Sequence, residues 1–79
     1  MLMEYVATFF THSGAMKYKR YMEKNGITIE LLPVPRKLSS DCGIGVRVVL
    51  DGDIRRYISE DIHKLFAVEG GRERLIYSA

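Results

Sequence analysis

The spacing of apolar and polar positions divides the chain into six elements. From Glu4 to Phe10, Tyr5, Ala7 and Phe9 fall on one face of a strand and Val6, Thr8 and Phe10 on the other. Both faces are apolar enough for a central position in a sheet. Thr11-His12-Ser13-Gly14 supplies helix N-cap candidates, and Ala15, Tyr18 and Met22, with Met16 and Tyr21 beside them, recur at helical spacing as far as Asn25-Gly26. Ile27, Ile29 and Leu31 then alternate with Thr28 and Glu30, the pattern of a strand with one buried and one wet face. Pro33 and Pro35 interrupt it, so residues 33–43 read as a loop, and Ile44, Val46, Val48 and Leu50 resume a strand.

Asp51 or Asp53 is placed to cap a second helix, in which Ile54, Ile58, Ile62 and Leu65 form an apolar stripe edged by Tyr57 and Phe66. Gly70-Gly71 would stop it, and Arg72 to Tyr77 leaves room for a short edge strand. The order βαββαβ predicts an α+β, ferredoxin-like fold: a four-stranded antiparallel sheet with two helices on one face, built as a single domain over residues 1–79. A doubly wound parallel sheet is the rival, but the direct passage from Leu32 to Ile44 suits a hairpin better. Ile27, Ile29, Leu31, Val46, Val48, Ile54, Ile58, Ile62 and Leu65 are expected in one core.

Size narrows the picture. A chain of 79 residues buries only about 60% of the surface it exposes when unfolded, and proteins of this size often add disulfides, a metal or a partner subunit. One cysteine cannot form an internal bridge. The opening MLMEYVATFFTHSG has no basic segment before its short apolar run, so a cytoplasmic location is expected, where thiols stay reduced. No apolar run approaches the ~18 residues of a membrane span. A net charge of +2 is too small to imply nucleic acid, and Lys17, Lys19, Arg20 and Lys24 read as a solvated helix face. The small core and an edge strand favour a homodimer.

Candidate chemistry centres on Cys42. In the expected topology the first and second strands run the same way, which brings His12, Ser13 and the start of the first helix toward the 33–43 loop, with Arg36 and Lys37 on that loop and Gly70-Gly71 at the same end. A free thiol has a pKa of about 8.5, so half-ionisation at neutral pH needs roughly 2 kcal/mol of extra stabilisation for the anion. A helix N-terminus supplies about 0.3–1 kcal/mol and a cation a comparable amount. Asp41 opposes this, while Gly43 and Ser39-Ser40 fit a tight loop whose backbone N–H groups could hold an anion. A zinc site from Cys42, His12 and His63 lacks paired ligand spacing. No cofactor is expected.

The stretch Pro33-Val34-Pro35-Arg36-Lys37-Leu38-Ser39-Ser40-Asp41-Cys42-Gly43 resembles the signature of the selenium/sulfur carrier protein-like family, and Tyr5-Val6-Ala7-Thr8-Phe9 with the helix containing Ala15 resembles its N-terminus. The resemblance implies that Cys42 carries sulfur or selenium as a persulfide or selenosulfide. It would receive the atom from a donor enzyme such as a cysteine desulfurase and pass it to an acceptor protein. Arg36, Ser39, Ser40 and Gly43 carry over as motif neighbours; His12 and Ser13 rest on topology alone. The chain lacks the Cys-Pro-x-Pro element of better-known small sulfur carriers.

Two other readings compete. A non-catalytic module binding a small ligand or a protein fits the fold equally well. RNA binding is less well supported, because the glycine-aromatic signature of an RNA-recognition strand is missing from Ile44 to Leu50.

Overall fold

The computed structural model describes residues 2–34 and 43–79. Five strands and one helix follow in the order β1 (Leu2–Phe9), α1 (His12–Lys24), β2 (Ile29–Pro33), β3 (Ile44–Asp51), a 3-10 turn (Ile54–Tyr57), β4 (Ile62–Glu69) and β5 (Arg72–Ser78). They form one antiparallel sheet in the spatial order β2-β3-β1-β4-β5. β1, apolar on both faces, pairs with β3 on one side and β4 on the other. Because β1 and β2 are each antiparallel to β3, they run in the same direction, with α1 as their crossover. β2 and β3 form the hairpin that the short connection requires, and Pro33 occupies the last position of an outer strand, where a missing N–H costs no ladder bond.

The four-stranded, two-helix expectation is corrected here. The segment expected as a second helix is a 3-10 turn, a connector and β4. Three features explain the misreading. A spacing of four is close to one helical turn but is also two strand periods, so Ile54, Ile58 and Ile62 cannot separate the two states. Ile62 and Leu65, three apart, would lie on opposite faces of a regular strand. A bulge in β4 removes that conflict: Thr8 pairs with Lys64 and Phe9 with Ile62, so His63 is an extra residue and both Ile62 and Leu65 reach the core. Finally, Gly70 (φ 56°) and Gly71 (φ 79°) form the turn of the β4–β5 hairpin rather than a helix stop.

The core nevertheless contains the expected side chains. Ile29, Val46, Val48, Ile54, Ile62 and Leu65 are buried in one cluster with Tyr5, Ala7 and Phe9 of β1 and Ala15, Tyr18 and Met22 of α1; Ile27, Leu31 and Ile58 pack against it. Ile54 is fully buried in the cluster from a 3-10 turn rather than from a second helix. The 3-10 turn that carries it is capped by Asp53, whose Oδ1 accepts from Arg55 N at 2.9 Å. A second bulge in β5 brings Ile76 and Tyr77 onto the same cluster. Among the described residues no helix is long and apolar enough to cross a membrane.

Candidate functional site

Register fixes which groups meet at the exit end of β1. Thr8 lies opposite Gly45, at the start of β3, and opposite Lys64, near the start of β4. The base of the β2–β3 hairpin is at the same end, closed by Val34 N donating to Gly43 O at 3.0 Å. α1 begins there as well. Thr11 is its N-cap, with Oγ1 accepting from Gly14 N at 3.0 Å, so His12 and Ser13 form an exposed first turn that contains no acidic residue. The unpaired N–H groups of that turn give the end positive potential.

Two glycines make the arrangement possible through close approach. A Cβ on Gly14 would lie 3.1 Å from Asp61 Cβ, so the missing side chain lets the connector before β4 sit against the start of α1. Lys17 Nζ reaches Asp61 Oδ2 at 3.6 Å across that junction. At Gly45 a Cβ would stand 2.5 Å from both Ala7 O and Val34 Cγ2. Val34, 7% exposed, thereby packs down over β3 and anchors one foot of the hairpin. Gly43, the other foot, is exposed and left-handed (φ 72°), a conformation that suits glycine.

Of the residues singled out in the sequence, His12, Ser13 and Gly43 are thus brought to one end of the sheet. Cys42, Arg36, Ser39 and Ser40 lie outside the described residues. Gly70-Gly71 is corrected: β4 runs away from this end, and Glu4 pairs with Val68, so the turn lies at the opposite end. His63 is not on a helix but on β4, stacked on Phe10 with ring centroids 4.6 Å apart. Among the described residues no group of three or more His, Cys, Asp or Glu is arranged to hold a metal.

Asp61, Lys17, Phe10 and Gly45 were not singled out in the sequence as parts of this end. Gly45 carried the one available signal, since a glycine inside an apolar strand marks a bulge or a close approach. Thr8 is also notable: fully buried, its Oγ1 has no hydrogen-bond partner.

A small α+β protein with a β-hairpin base and a helix N-terminus at one end of its sheet is the class that these observations define. The family model described as "Putative Se/S carrier protein-like" matches residues 4–61, from β1 through the 3-10 turn and its connector, and the chain belongs to that family. β4 and β5 complete the sheet beyond the matched segment. No curated protein and no solved structure matches the chain.

Proposed function

We propose that the protein carries sulfur or selenium on Cys42 between a donor enzyme and an acceptor protein. The observation that carries this reading is membership of the Se/S carrier protein-like family through a match that includes Cys42. The hairpin base, closed by Val34 N donating to Gly43 O, supports it by putting both flanks of the Cys42 segment at the end of the sheet where α1 begins.

In the loading step the Cys42 thiol releases its proton to solvent and the thiolate attacks the outer sulfur of a persulfide on the donor. A new S–S bond forms on Cys42, the donor's S–S bond breaks, and the donor cysteine leaves as a thiolate. No external oxidant or reductant is consumed. A nucleophile on the acceptor repeats the exchange and returns Cys42 to its thiolate. A chain with one cysteine suits this cycle, because no second thiol can displace the cargo as an internal disulfide.

Alkylation by iodoacetamide across pH tests the reactivity that the cycle needs. The folded protein should react with a midpoint below about 8.5, the free-thiol value. Arg36→Ala should slow the reaction severalfold near neutral pH. A midpoint at or above the free value, or reaction only after unfolding, would leave the binding-module reading in its place.

A further inference from the structure

The charge of this chain is concentrated on one helix. α1 carries Lys17, Lys19, Arg20 and Lys24 against the single anion Glu23, a net +3, whereas the whole chain carries +2, which leaves −1 for everything outside the helix. Glu23 is occupied within the helix by Lys19 at 2.8 Å. The buried side of α1 is defined by Gly14, Ala15, Tyr18 and Met22, so Met16, Lys17, Arg20 and Lys24 project from the opposite side. Among the described residues neither Arg20 nor Lys24 is in an ion pair.

Apolar surface accompanies the charge. Met16 and Tyr21 are 40% and 41% exposed, and Phe10, just before the helix, is 45% exposed. Tyr21 packs beside Tyr18 and Tyr57, with ring centroids at 6.0 and 6.5 Å. A central arginine flanked by exposed methionine and tyrosine is the composition of a protein-binding surface. Nucleic acid fits less well, because a net +3 supplies few phosphate contacts.

We infer that the outer face of α1, centred on Arg20 and flanked by Met16, Lys17, Tyr21 and Lys24, is the docking surface for an acidic patch on the donor of sulfane sulfur. The inference rests on the carrier reading for the identity of the partner. Its geometry comes from the fold: α1 starts at the same end of the sheet as the hairpin feet Val34 and Gly43, so a partner lying along the helix extends toward the end that carries the flanks of Cys42.

The test measures binding of the full chain to a cysteine desulfurase by titration calorimetry without cysteine, so that docking is read apart from loading. Arg20→Glu should weaken binding about tenfold or more, whereas Arg72→Glu on β5, an equal change in net charge elsewhere, should leave it within about twofold. Arg20→Gln, a milder change at an exposed position, should give a smaller loss in the same direction, and raising the salt should narrow the gap between wild type and Arg20→Glu. Loading of Cys42 from inorganic polysulfide should be the same in all four chains. Absence of desulfurase binding, equal weakening by Arg20→Glu and Arg72→Glu, or tighter binding of a single-stranded RNA to this face would each overturn the docking inference. A chain that docks but never gains sulfur from either donor would instead sink the carrier reading.

Discussion

At the scale of single residues, several buried positions set measurable consequences. Tyr18 is 1% exposed and its hydroxyl has no hydrogen-bond partner, so burial pushes its pKa upward, with Tyr21 and Tyr57 adding to the rise. Its folded-state pKa therefore exceeds the unfolded value of about 10. The stability it contributes is fully present below about pH 10 and is lost as pH rises above that value, because the unfolded chain ionises first. Tyr18→Phe should leave stability at pH 7 equal or higher by about 1 kcal/mol, since an unsatisfied buried hydroxyl carries a desolvation cost. It should also flatten the fall above pH 10. Urea denaturation at pH 7 and 10.5 measures both; a large loss at pH 7 would show that the hydroxyl is satisfied after all.

Gly45 makes a sharper prediction. Its missing side chain leaves room for Ala7 O and Val34 Cγ2, and a backbone oxygen in the centre of the sheet has little freedom to yield. Gly45→Ala should cost about 2 kcal/mol and slow alkylation of Cys42 near neutral pH, because Val34 can no longer hold the hairpin base on which the proposed thiolate setting depends. A variant as stable as wild type would remove the packing argument.

At the scale of elements, β1, α1, β2 and β3 were legible because each had a clear composition or period and a terminating signal. Glu4 to Phe10 is rich in β-branched and aromatic residues on both faces, Ala15, Tyr18 and Met22 follow the helical repeat, Ile29 and Leu31 and then Val46 and Val48 alternate, and Gly26 and Pro33 punctuate. The last third was not legible, for a specific reason. Bulges at His63 and near Ile76 shift strand parity by one, so Ile62 and Leu65 reach the same core at a spacing that a helix also satisfies. Burial could therefore be read correctly from residues whose elements were read incorrectly. Gly70-Gly71 held the deciding signal, as a two-glycine turn between two apolar runs favours a hairpin. Gly71→Ala should then cost about 1 kcal/mol through its positive φ, and Asn at Gly70 should be tolerated, because asparagine accepts that region. Thermal melts of both variants check this, and equal loss in the two would argue against the hairpin turn.

The scale of the whole molecule joins the sheet to its proposed work. Strand direction placed Thr11 to Gly14 and the feet of the 33–43 loop at one end, as expected from the sequence, because that depended only on the first four elements. Gly70-Gly71 did not follow, since its position depended on the misread helix. Outside the family match, β4 pairs with the edge of β1 that β3 leaves open, β5 pairs with β4, and β4 supplies the His63 ring that stacks on Phe10. The segment thus completes the sheet on the side of β1 away from the hairpin.

Carriage on Cys42 is the central claim, and intact-mass measurement addresses it most directly. The chain is incubated with a cysteine desulfurase and cysteine, then weighed, with peptide mapping to place any addition. The account predicts a gain of one sulfur mass on the peptide containing Cys42, reversed by a thiol reductant and lost in Cys42→Ser, whose thermal melt stays close to wild type. No gain in mass, or a gain that persists in Cys42→Ser, would contradict it.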